Sequence, residues 1–110
     1  MIHELSDECL FVGLTGCEAL SKELKHVNET LEKNPRHHVI MDLSKIPMLT
    51  SSHLSNLMLL HNLLEQNGYK LVLCHVSFQV KCEFTVCGLK DTFHFADDKY
   101  HALDMFEQKV

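Results

Sequence analysis

Little in this chain ties it to nucleic acid, to a membrane or to an oxidising compartment. Its 10 Lys and Arg are outnumbered by 15 Asp and Glu, for a formal charge of minus 5, and the basic residues are scattered among the acidic ones. There is no basic stripe of the kind that neutralises a phosphate backbone, which argues against nucleic acid as a direct partner. The stretch Met1-Ile2-His3-Glu4-Leu5-Ser6-Asp7-Glu8 lacks the basic region and apolar run of a secretion signal. No apolar run approaches membrane-spanning length, so no membrane insertion is expected. The five cysteines, Cys9, Cys17, Cys74, Cys82 and Cys87, form no paired framework and no Cys-x-x-Cys. A reducing cytoplasm suits them best.

Catalytic signatures are missing too. No Gly-x-x-x-x-Gly-Lys-Ser/Thr loop is present, so a nucleotide should belong to a partner rather than to this chain. The Gly-x-Ser-x-Gly elbow is absent, which disfavours a serine-dependent enzyme built on Ser51 or Ser52 with a histidine base. Nine histidines invite a metal-dependent alternative, with His37-His38, Cys74-His75 and His94 as candidates. None shows zinc-site spacing, and Cys82 and Cys87 stand five apart on an expected helix. No metal, no cofactor and no catalytic residue are therefore expected. His61, on or near the core face of a helix, is read as a hydrogen-bonded residue at the core rim.

What is present is one well-patterned domain. At 110 residues and 45% hydrophobic content, residues 1–110 make a single unit able to bury roughly two-thirds of its unfolded surface. No linker, repeat or low-complexity segment interrupts it. Ile2 to Leu5 and Leu10 to Leu14 flank a polar Ser-Asp-Glu and read as a hairpin; the exposed first strand could pair edge to edge in a homodimer. From Cys17 to Lys33 the pattern turns helical, with Leu20, Leu24, Val27 and Leu31 spaced four, three and four, and the helix ends before Pro35. Val39 to Met41 is too short for a helix and reads as a central, parallel strand. A second helix runs from Ser51 or Ser52 to Gln66, closed by Asn67-Gly68. Leu71 to Cys74 is a strand, Ser77 caps a third helix that runs through Val86 to Gly88, Thr92 to Phe95 is an edge strand, and Asp97 or Asp98 caps a last helix. Strand and helix alternate after the hairpin, so the fold class is α/β, with helices against a small, mostly parallel mixed sheet.

The richest segment lies between the central strand and the second helix: Val39-Ile40-Met41-Asp42-Leu43-Ser44, then Ile46-Pro47-Met48-Leu49-Thr50-Ser51-Ser52-His53-Leu54. It delivers serines to a helix N-terminus, where unpaired N–H groups and partial positive charge favour a phosphate. A phosphoserine adds about 1.5 to 2 negative charges and would act as a local switch. On residue type alone, Thr50, Ser51 or Ser52 is equally an N-cap contributing about 1 kcal/mol. In the second helix, Leu54, Leu57, Leu60 and Leu64 share one face, while Leu59 and Leu63 fall on the far side with Ser52, Asn56 and Gln66. Either a neighbouring helix covers Leu59 and Leu63 or a partner does.

Thr50-Ser51-Ser52-His53-Leu54 resembles the Asp-Ser-Ser-Gly-Leu signature of the STAS domain, the fold of the bacterial anti-sigma factor antagonists. The resemblance continues through Gly68-Tyr69-Lys70-Leu71 and Cys87-Gly88-Leu89-Lys90-Asp91-Thr92-Phe93, and so covers nearly the whole chain. It implies a STAS fold with an N-terminal hairpin and about four helices. It also implies a non-enzymatic regulator that docks an anti-sigma factor, a serine kinase of ATPase fold, and is released by phosphorylation at Ser51, with Ser52 as second choice. Partner contacts would then come from Thr50, Ser51, Ser52, His53, Asn56, Leu59, Leu63 and Glu18. Thr50 stands where the family has an acidic residue and His53 where it has glycine. In the first loop Gly16-Cys17-Glu18-Ala19 offers Ala19 where the family has Asp, with Glu18 one position away. Two related expectations are an accessory subunit of a lipid-transport ATPase and a subunit of a large stress-signalling assembly.

Overall fold

The computed structural model describes residues 2–107; Met1, which opens the N-terminal stretch considered above, and residues 108–110 lie outside the described residues. Five strands, β1 (Ile2–Ser6), β2 (Cys9–Gly13), β3 (His38–Asp42), β4 (Leu71–Cys74) and β5 (His94–Ala96), form one sheet in the order 1-2-3-4-5. β1 pairs antiparallel with β2, and the remaining pairs are parallel. Four helices, α1 (Leu20–Lys33), α2 (Ser51–Gln66), α3 (Phe78–Val86) and α4 (Lys99–Glu107), complete the chain.

The central strands explain why their sequences do not alternate. Val39, Ile40 and Met41 of β3 and all four residues of β4 are buried, because both faces of the sheet are covered. Val39, Met41, Leu71 and Leu73 face the core shared with α1, α2 and α3, whereas Ile40, Val72 and Cys74 face Ala102 of α4. Each fully buried Leu or Ile contributes about 1.5 to 3 kcal/mol of transfer free energy. α1 buries Leu20, Leu24, Val27 and Leu31, and α2 buries Leu54, Leu57, Leu60 and Leu64, as their spacing requires. α3 contributes Phe84, which meets Phe93 and Phe95 edge-on at 5.1 and 5.4 Å.

Gly68 and Gly88 end α2 and α3 at φ +81° and +74°. At each, the next residue donates back to the helix, Tyr69 N–H to Leu64 O and Leu89 N–H to Phe84 O. This is the Schellman closure, which needs a residue free of a Cβ clash.

Two boundaries differ from the sequence reading by two residues or more. α1 begins at Leu20, not Cys17: Gly16 stands at φ +155°, outside the helical region, and Thr15 is held by Glu23, which leaves Cys17 to Ala19 in a turn. β5 is His94–Ala96 rather than Thr92–Phe95, since the Thr92 N–H is used in a turn to Leu89 O and the register with β4 starts at His94 opposite Val72. Of the two candidate caps for α4, Asp98 takes the role, its Oδ1 accepting from His101 N–H at 2.9 Å. His61 is buried against Phe93 at 5.3 Å between ring centroids. Its Nδ1 has no hydrogen-bond partner among the described residues, so packing, not the expected hydrogen bonding, holds that side of the ring.

Candidate functional site

β3 ends at Asp42, and the turn that follows is fixed by Asp42 Oδ1 accepting from Ser44 N–H at 2.7 Å. The chain then runs over buried Ile46 and Leu49 to the N-terminus of α2. Leu49 N–H donates to Glu83 Oε1 on α3 at 2.9 Å, so a carboxylate from the neighbouring helix braces this segment just before the serines.

Thr50 is the N-cap. Its Oγ1 accepts from His53 N–H at 3.2 Å, and His53 Nδ1 accepts from Thr50 N–H at 3.1 Å. The pair is a capping box in which histidine fills the place usually taken by Glu or Gln. Because Nδ1 accepts a backbone N–H, the ring proton is assigned to Nε2, which donates to Ser21 Oγ of α1 at 3.2 Å. His53 is thereby 9% exposed and spent on the cap. The Ser21–His53 pair has the wrong tautomer for a general base, whose Nε2 must accept the hydroxyl proton. With both ring nitrogens occupied, His53 is not available to Ser51 or Ser52.

Ser51 and Ser52 are the first two residues of α2 and both are exposed. Ser51 lines a groove of about 320 Å³ between α2 and α3 together with Leu49, Leu54, Cys82, Glu83 and Val86. The loop before α1 approaches from the other side, with Cys17 Sγ 3.9 Å from Met48 O. In that loop Glu18 is exposed, and Glu23 does the structural work, its Oε1 accepting from Thr15 N–H at 3.0 Å and from Thr15 Oγ1 at 2.9 Å. Partial burial opposes ionisation of Glu23, but the carboxyl is held below its usual range, with these two hydrogen bonds among the causes.

A family model for the STAS domain matches residues 14–102. The chain belongs to the STAS domain family. Solved structures of similar fold agree with this. A putative anti-sigma factor antagonist from Thermotoga maritima superposes with a TM-score of 0.80 at 15% identity, over 96% of this chain and 92% of that one. The anti-sigma factor antagonist SpoIIAA in its unphosphorylated form gives 0.80 at 17% identity, over 100% and 97%, and the Bacillus protein in its phosphorylated form gives 0.71 at 16%, over 96% and 97%. A chain from the stressosome, a signal integration and transduction hub, gives 0.76 at 21%, over 97% and 96%. At these identities the likeness is one of fold. Among the described residues of this STAS domain no helix is long and apolar enough to cross a membrane.

The outer face of α2 is divided. Leu59 is 63% exposed, while Leu63 is half-buried and packs against the core. Both line an open groove between α1 and α2 with Asn28, Asn56 and Gln66, and Asn28 Nδ2 donates to Asn56 O across it at 3.4 Å. Sequence reasoning missed a second apolar surface. Phe78 and Val86 on α3 are 84% and 86% exposed, eight residues apart on one helix face, and Val86 lies beside Ser51 in the groove. The signal was available: α3 buries Val80 and Phe84 on one side yet carries Phe78 and Val86 as well, the same excess of apolar positions that drew attention to α2. Ser21 and Glu83, which hold the tip from α1 and α3, carry no local signal, because their roles exist only through tertiary contact.

Proposed function

We propose that this STAS domain is a regulatory binding protein of the anti-sigma factor antagonist type, acting in the cytoplasm without catalytic activity, and that Ser51 is its phosphorylation switch. The observation that carries the reading is the placement of Ser51: an exposed hydroxyl at the first position of α2, on a tip fixed by the Thr50–His53 box, and on the wall of a groove that continues into the exposed Phe78–Val86 face. The partner is a protein with an apolar docking edge, in this reading an anti-sigma factor kinase of ATPase fold. It seats on the α2 tip and the outer face of α3, with Ser52, Asn56 and Leu59 at the margin.

Phosphorylation changes that surface in two ways. The phosphate is favoured by the α2 N-terminus, where Thr50 takes only the His53 N–H and leaves earlier N–H groups for the new oxygens. It also brings about two negative charges into a groove that already holds the Glu83 carboxylate and is otherwise lined largely by apolar side chains. A partner that buried this groove would have to desolvate both charges, and it is released.

The test is phosphotransfer followed by capture. Host lysate supplied with ATP should place phosphate on Ser51 of the wild-type protein, located by mass spectrometry, and not on a Ser51→Ala variant. Immobilised wild-type protein should retain an ATPase-fold kinase that Ser51→Asp does not. Equal retention by the two, with no phosphate on Ser51, overturns the switch.

A further inference from the structure

Asp42 and Cys74 are the last residues of β3 and β4 and stand opposite each other in register. Ile40 and Val72, two positions earlier on the same strands, face the α4 core together with Cys74, so Asp42 and Cys74 both leave the sheet on that side. His75 follows at φ +53°, the one non-glycine residue with positive φ among the described residues. One donor atom from each of Asp42, Cys74 and His75 falls within 4.8 Å of the other two. Cys74 is 0% exposed, Asp42 half-buried and His75 exposed. The cluster therefore runs from the core to solvent and can be entered.

We propose that Asp42, Cys74 and His75 bind one divalent metal ion of the zinc class. A sulfur, a nitrogen and an oxygen donor suit a borderline ion, whereas magnesium and calcium take oxygen donors alone. Three protein ligands leave a fourth position for water. The left-handed backbone at His75 costs free energy that histidine tolerates better than most residues, and such conformations concentrate where a side chain must be aimed. Asp42 is already oriented, since its Oδ1 holds Ser44 N–H at 2.7 Å; this outer hydrogen bond fixes the carboxylate while Oδ2 remains for the ion. Burial first, then the charges of Asp42 and Asp98, push the Cys74 thiol up to about 11. A coordinated dication reverses this, because a coordinating thiol is deprotonated. On binding, the Cys74 S–H bond breaks, the sulfur–metal bond forms and the proton goes to solvent, with no change of oxidation state.

Sequence spacing cannot reveal such a site. Cys74-His75 is one adjacent pair, and the third donor is delivered by strand register from the far side of α2. A bound ion would tie the loop leading from β3 to Thr50 and Ser51 to the loop that opens α3, the two segments that lead into the walls of the groove. The site does not depend on the phosphorylation reading and is tested separately.

The test is cobalt(II) titration of chelator-treated full-length protein. Wild-type protein should develop a thiolate-to-cobalt charge-transfer band with tetrahedral d–d bands at one equivalent, and zinc should abolish both. Cys74→Ser should lose the charge-transfer band, and a variant with Cys17, Cys82 and Cys87 all changed to Ser should keep it. Because Cys74 is buried and its replacement can unfold the protein, His75→Asn is the second variant: asparagine accepts the left-handed backbone but removes the imidazole, and cobalt affinity should fall at least tenfold. Absence of the band in wild-type protein, its loss in the triple variant, or unchanged affinity in His75→Asn would each overturn the site.

Discussion

The Thr50–His53 box makes a quantitative prediction, because His53 is held by two hydrogen bonds that can be removed separately. His53→Ala deletes the acceptor for Thr50 N–H and the donor to Ser21 Oγ, and each such bond contributes about 0.5 to 1.5 kcal/mol net. Thr50 and Ser21 are both exposed, so water replaces part of what is lost, while the imidazole itself is nearly buried and leaves a gap. The expected destabilisation is about 2 kcal/mol. In a domain of this size that corresponds to a fall in Tm of about 8 °C. His53→Gln, which can reach back to Thr50 N–H as in the usual capping box, should recover about half of the loss. Ser21→Ala should cost about 0.5 to 1 kcal/mol. A Ser21/His53 double-mutant cycle, followed by urea unfolding in circular dichroism, should give a coupling of about 1 kcal/mol. A His53→Ala variant within about 0.5 kcal/mol of wild type would refute the capping role of the ring, and strictly additive single variants would refute its contact with Ser21.

Two further predictions concern the other faces of the molecule. Phe78→Ser with Val86→Ser should leave stability within about 0.5 kcal/mol of wild type, because both side chains are in solvent, yet weaken capture of the proposed kinase partner at least tenfold; unchanged capture would remove α3 from the proposed docking surface. His38 accepts from Lys70 N–H through Nδ1 at 3.0 Å and stacks on Phe106 at 4.4 Å. Burial first, with the nearby Lys70 charge adding to it and the Glu8 charge opposing it, holds its pKa below the ordinary histidine range. On acidification the unfolded chain takes up this proton before the folded one, so the stability His38 contributes is complete above the ordinary histidine range and is lost as pH falls through it. Urea midpoints at about pH 7.5 and about pH 5.5 should therefore diverge less in His38→Gln than in wild type, and an equal divergence would show that another group carries the slope.

What could be read from the sequence was what local chemistry dictates. The four-three-four spacing of Leu20, Leu24, Val27 and Leu31 named the buried face of α1, and the Asn67-Gly68 stop placed the end of α2, because helix period and left-handed glycine are properties of short segments. The unbroken apolar runs at Val39 to Met41 and Leu71 to Cys74 gave the buried centre of the parallel sheet. The start of α1 was misplaced because Cys17, Glu18 and Ala19 can all be helical, and the decision rests on the Thr15–Glu23 contact. β5 was misplaced because a three-residue strand takes its limits from its neighbour's register. At the tip, Thr50, Ser51 and Ser52 are all competent caps; Thr50 is selected because His53 returns to its N–H, supported by Ser21 on another helix.

That selection bears on how far the altered signature can be from the family's and still work. Thr50 in place of the acidic residue and His53 in place of glycine look like two separate losses when each is considered alone. In the fold they form one device, since the Thr50 hydroxyl takes the His53 N–H and the His53 ring takes the Thr50 N–H. Neither group would complete the box without the other, so the two departures compensate. A ring accepting at Nδ1 and donating at Nε2 is uncharged, and threonine carries no carboxylate. The cap itself is therefore built from neutral groups, and Glu83, which braces the preceding segment through Leu49 N–H, is the anion that shares the groove with Ser51. Where an acidic residue precedes the serine, a phosphate adds to charge already present. Here it would convert an uncharged helix tip into a dianionic one, the larger change in what a docking partner must desolvate.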